Sequence, residues 1–163
     1  MRIRRLLPLL PVAALLVGCS PQAAAASTED NARRVYERWL GLQDELLGEK
    51  PASPAALIAE LQVLGGEEAF DEVYGLYDET GFVTRRGRHS ITSFELVEAS
   101  KGEVTARACV DASQVTAVLG FGDNGMDMKG SALLVPTTIE FEARPDGGLT
   151  IARTVVAEES FCE

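Results

Sequence analysis

Few residues in this 163-residue chain carry side chains suited to chemistry, and their spacing narrows what that chemistry is. Three cysteines stand far apart at Cys19, Cys109 and Cys162 with no C-x-x-C pair, which disfavours a dithiol redox centre. His89 is the single histidine, and two thiols without other soft ligands do not make a metal site. Gly120–Gly125 spells G-x-G-x-x-G by letter, but a dinucleotide site needs that loop to open a helix. The next residues are "MDMKGSALLVPTTIEF", turn then strand, so the segment reads as a hairpin loop with Asn124-Gly125 at its tip. Asp123 and Asp127 fall short of a calcium cage. Tyr74 and Tyr77 are candidate hydrogen-bond donors to a pocket, with core packing as the alternative. None of these spacings implies a cofactor.

Cys19 has a context of its own. The chain opens with Arg2, Arg4 and Arg5 and then runs from Leu6 to Val17 without a polar side chain. A basic start and a short apolar run are the marks of an export signal. The run is shorter than the roughly 20 residues a spanning helix needs, and Pro8 and Pro11 weaken it further. It ends Leu16-Val17-Gly18-Cys19, which resembles the lipobox of bacterial lipoproteins. The resemblance implies that the Cys19 thiol receives a diacylglyceryl group, that residues 1–18 are removed, and that Cys19 becomes the N-terminus. Each buried methylene adds about 0.8 kcal/mol, and two chains suffice for stable anchoring. A plain secretory signal with a chance cysteine is the alternative. Residues 19–27, small and polar, read as a flexible tether to one domain over 28–163.

Three of the 15 basic residues lie in the leader, leaving 12 against 25 acids and a mature charge of −13. Nucleic acid is disfavoured as a partner, and so is broad attraction to anionic lipid, so the acyl chains are the expected membrane link. The expected location is the cell membrane, facing the extracytoplasmic side. In that oxidising compartment Cys109 and Cys162 read as a disulfide closing a loop of about 53 residues. The chain-entropy model makes this worth about 4 kcal/mol.

The elements that would position these residues change period midway. Ser27-x-x-Asp30 is a capping box opening a helix with Val35, Trp39, Leu42 and Leu46 on one stripe, stopped at Gly48. Ser53-Pro54 opens a second helix, ended by Gly65-Gly66, and a third aligns Phe70, Val73, Tyr74 and Tyr77. From His89 onward the pattern alternates. Val104, Ala106, Ala108 and Val110 face one way, with Ile139 and Phe141 and with Leu149, Ile151 and Val155. Glu103, Asp111, Glu140 and Glu142 fall on the opposite, solvated parity, and Glu95 and Glu98 lie on opposite faces of their strand. Cys109 shares the outward parity with Thr150, Thr154 and Cys162. Arg153 falls inward, as either a pocket arginine gripping an anion or the sign of a bulge or a snorkelling side chain. "TRRGRH" at 84–89 is a small basic island that reads as a solvated loop, with contact to an acidic partner or lipid headgroups as the alternative, and His89 reads as a polar surface residue. Helices first and a strand meander afterwards make an α+β fold, three helices on one face of a bent antiparallel sheet of about four strands.

That order, with "EVTARACVDAS" and the terminal "IARTVVAEESFC", resembles the nuclear transport factor 2-like fold, the cone shared with ketosteroid isomerases. Small exported proteins and lipoproteins of high-GC Gram-positive bacteria carry a similar V-x-x-C-x-D-x-S strand and a late cysteine. Such proteins often have a tryptophan after the final "DG" turn, where Leu149 stands here. The resemblance implies either a cone enzyme with an inward acid or histidine, or a module with a closed pocket. With at most one acid, Glu95 or Glu98, inward by parity, the expectation is a non-catalytic binding or interaction module for a small molecule or an envelope protein. A small-molecule enzyme of the isomerase type and a structural envelope protein, homodimeric through its sheet, are the alternatives. Metabolic labelling with a lipid analogue should mark the wild-type chain and miss Cys19→Ala; label retained by the variant would defeat the anchor.

Overall fold

The computed structural model describes residues 21–48, 51–79, 83–119, 126–129 and 134–162. Cys19, the leader before it and the Gly120–Gly125 tip lie outside them. Helix α1 spans Pro21–Leu46, α2 Pro54–Leu64 and α3 Glu67–Glu79. The first begins six residues upstream of the expected Ser27 cap and takes up much of the segment read as a tether. Proline is favoured at a first helical position, and the four alanines Ala23–Ala26 have the highest helix propensity, so the helix extends past Ser27. One face of α1 buries Ala32, Tyr36, Trp39, Leu42 and Leu46. Ser53 stands at the N-cap of α2 without a side-chain capping bond, and Pro54 succeeds it at the start of the helix. Among the described residues no helix is long and apolar enough to cross a membrane.

The helices cover the concave face of a four-stranded antiparallel sheet in the order β2-β3-β6-β7. These strands are Ser90–Ala99, Glu103–Asp111, Leu134–Ala143 and Leu149–Val156. Its inner face supplies Val104, Ala106, Ala108, Val110, Ile139, Phe141, Leu149 and Ile151, all buried against the helices. Three register shifts bend it. Two lie in β2, leaving Thr92 and Val97 unpaired, and one in β7 leaves Ala152 unpaired between Arg153, opposite Glu140, and Ile151, opposite Phe141.

A second sheet departs from the single sheet expected; it runs in the order β1-β4-β5, with β1 at Val83–Arg86, β4 at Thr116–Leu119 and β5 at Met126–Lys129. The chain leaves β3 after Asp111, whose carboxylate accepts the Ser113 N–H at 2.8 Å and turns the chain into β4. Arg85 and Arg86 thus lie in a strand rather than a loop, and the Arg85 N–H donates to the Leu47 carbonyl at 2.7 Å. Gly87 at the corner has φ +91°, and a Cβ there would overlap the Gln114 carbonyl, so glycine is required.

Two contacts tie the layers together. The Trp39 ring lies against Gly65, where a Cβ would sit 2.6 Å from it, and the next residue, Gly66, donates its N–H to the Ile151 carbonyl at 2.7 Å. On the other face, Cys109 and Cys162 form the expected disulfide, Cα–Cα 5.6 Å, drawing the C-terminal segment across the sheet with Phe161 5.3 Å from the Arg107 guanidinium carbon. Gly65→Ala is expected to lower stability by about 1–3 kcal/mol through overpacking against a fully buried ring. Urea unfolding measures it, and a change within about 0.5 kcal/mol would mean that Trp39 moves freely.

Candidate functional site

Asp44 lies one helical turn beyond Leu40 and two beyond Tyr36, so α1 carries a carboxylate on its buried face. Its side chain is 3% exposed. The chain on the far side of the cleft meets it at His89, between β1 and β2. The His89 backbone N–H donates to Asp44 Oδ2 at 2.8 Å, and Nδ1 lies 2.6 Å from Oδ1. A carboxylate accepts, so Nδ1 is the donor in this contact. His89 is therefore a partly buried residue held by two bonds, and the expectation of a polar surface histidine is corrected.

His89 stands on the wall of a cleft of about 200 Å³ between α1 and the open end of the sheet, with Tyr36, Arg85, Thr137 and Thr154. The Tyr36 hydroxyl bonds the Thr137 side chain, and burial pushes the phenol up to about 12. Arg85 is half-buried, and the loss of water lowers its pKa despite the attraction of Asp44. Among the described residues its guanidinium makes no ion pair. The arrangement offers an imidazole, a neutral phenol and a cation around a small polar space.

The residues expected to line a pocket lie elsewhere. Arg153 is turned outward by the Ala152 bulge and sits 3.4 Å from Glu68, with about half of its side chain exposed. The same bulge brings Thr154 to the cleft, so Cys162 reaches Cys109 from beyond the strand end and the parity route to the disulfide fails, although the bridge itself is present. Tyr74 and Tyr77 belong to a ring cluster on α3 with Phe70, at centroid separations of 5.5 and 6.2 Å, and are not on the cleft wall. The third tyrosine, Tyr36, is the one that faces it. Glu95 and Glu98 share the outer face, opposite Arg107 and Thr105, because the bulge at Val97 resets the alternation. Among the described residues no cluster of three or more histidine, cysteine, aspartate or glutamate residues could hold a metal.

No family model matches the chain, and no curated protein does. One solved structure of similar fold aligns above a TM-score of 0.5. The intermembrane-space region of the chloroplast protein ARC6 aligns at TM-score 0.53 and 14% identity, over 78% of this chain and 95% of that one. ActVI-ORFA from Streptomyces coelicolor aligns at 0.46 and 13%, over 84% and 99%. An Ntf2-like protein involved in plasmid conjugation aligns at 0.43 and 11%, over 85% and 52%. At these identities the likeness is one of fold.

The buried phenol sets a pH dependence. Below pH 10 Tyr36 is neutral in folded and unfolded chains alike; between 10 and 12 the unfolded chain loses its proton first. Stability therefore falls as pH rises through that window, by about 2–3 kcal/mol at its upper end. Urea unfolding of Tyr36→Phe across pH 10–12 should show that fall reduced by the same amount; an unchanged fall would place the phenol in water.

Proposed function

We propose that this chain is a lipid-anchored, extracytoplasmic protein whose α+β domain, of nuclear transport factor 2-like type, is a non-catalytic binding module. The anchor rests on the leader and Cys19, and a disulfide suits the oxidising side of the membrane. One observation carries the binding reading: both oxygens of the buried Asp44 are occupied by His89. An isomerase-type base needs a carboxylate free to meet substrate in a roomy apolar cavity. Here the interior is filled by Trp39, Leu42, Ile139, Phe141 and Ile151, and the cleft of about 200 Å³ is below the roughly 300–1,000 Å³ of ordinary ligand sites. Asp44 and His89 act as a clasp between α1 and the start of β2.

A second reading has its own support. His89 Nε2 is not engaged by Asp44, and the ring lines the cleft beside Tyr36, which is the arrangement of a base with an orienting acid. Dimerisation through the sheet is the weakest of the alternatives, since Glu95, Glu98, Glu103, Glu140 and Glu142 would face their own copies there. Two measurements decide between clasp and catalyst. A double-mutant cycle of Asp44→Asn and His89→Gln should give a coupling of about 1–3 kcal/mol in unfolding free energy. Incubation with small ketones in D₂O should give no carbon-bound exchange above background; exchange abolished by His89→Ala would replace the module with an enzyme.

A further inference from the structure

On the far side of Arg85 from the small cleft lies a groove of about 510 Å³, within the usual range for a ligand site. It runs between the end of α1, the start of α2 and the corner after β1. One wall is apolar, formed by Pro51, Ala52, Ala56 and Leu57; the other carries Arg85 and Arg88 over the backbone of Gly48 and Gly87. Among the described residues its acids are Asp44 and Glu45. Asp44 is held by His89 on both oxygens, and Glu45 is exposed at the rim with its charge felt by Arg38. Neither arginine forms an ion pair with a described residue. Arg85 has lost water without gaining, among the described residues, a carboxylate at contact distance, and burial of a cation in that state is unfavourable unless an anion completes it.

We propose that this groove binds a small amphipathic anion, its carboxylate or phosphate group gripped by Arg85 and Arg88 and its apolar body laid against Ala52, Ala56 and Leu57. The guanidinium fork matches either oxyanion through paired N–H donors. The Ser53 hydroxyl, free of any capping bond, stands on the same lining and adds a neutral donor. Free carboxylates and lipid headgroups share this chemistry. The inference deepens the binding-module reading by giving its ligand a charge, a shape and a place, and it rests on that reading.

Titration calorimetry of the full chain in a non-ionic detergent tests it with butanoate, butyl phosphate and butylammonium. At least one of the two anions should bind, and butylammonium should not. Butanoate alone points to a free carboxylate, and butyl phosphate alone to a phosphate ester such as a lipid headgroup; either supports the site. Arg85→Gln should weaken the anion by about tenfold or more and Arg88→Gln by about threefold, while Arg33→Gln, which alters an exposed pair elsewhere, should bind as wild type. If Arg85→Gln does not fold, the exposed Arg88→Gln decides by the same comparison. Failure of both anions to bind, or wild-type affinity in the arginine variants, overturns the site while the module reading stands. His89-dependent exchange in D₂O overturns the module reading whatever the anion does.

Discussion

Trp39 is fully buried, and its ring can lie where it does because the residue beneath it has no side chain. Gly65 ends α2 with its N–H on the Leu61 carbonyl, and Gly66 immediately joins β7 through Ile151. Three helices and one sheet edge therefore meet at a contact between an indole and two glycines. An edge strand exposes unpaired backbone groups that attract other chains. Here part of that edge is paired by the turn between α2 and α3, so the contact that centres the core also closes the sheet. The filled interior is its consequence, because a tryptophan driven to the middle of the concave face leaves little of the cone open.

What space remains is governed by the cost of burying charge. Asp44 lies in line with Tyr36 and Leu40 on α1 and one turn before the buried Leu47, and an isolated carboxylate there would be strongly unfavourable. Two N–H donors from His89 satisfy it, fixing the entry to β2 against the helix. The negative charge also attracts Arg85 without contacting it, which leaves the arginine between a small polar cleft and a larger, half-apolar groove. One buried acid thus organises a histidine, an arginine and the two openings on either side of them.

Helices and strands were legible because their periods differ, and most of the core derives from them: Trp39, Leu42 and Leu46 on the first helix, Val104 to Val110 and Phe141 on the sheet. The site was not. Strand parity assumes an unbroken alternation, and single extra residues at Val97 and Ala152 reverse it, which is why parity split Glu95 from Glu98 and turned Arg153 inward. His89 carried no periodic signal, because its burial depends on a residue 45 positions earlier. A readable sign did exist: the spacing of four from Tyr36 through Leu40 to Asp44 puts a carboxylate on an apolar stripe. A charge so placed requires a partner, and the single histidine was the natural one to seek. The lone inward arginine by parity was a bulge, and the arginine that matters lay in a strand too short and too polar to be recognised.

The two faces of the main sheet have different tasks as a result. The outer face sets Glu103 directly opposite Glu142 and carries Glu95, Glu98 and Glu140 nearby, an arrangement that repels another acidic surface. The segment after Val156 crosses part of it, hydrogen-bonded from Ala157 to Pro136, covalently held by Cys162, and with Phe161 over Arg107. A loop closed over 53 residues restricts the unfolded chain and fixes that cover in place. With the outer face charged and partly covered and the inner face packed, the surfaces left for recognition are the rims where helices meet strands. There the acidic chain keeps Arg85 and Arg88 out of ion pairs with the described residues, and an anion is the partner for which that choice has a physical reason.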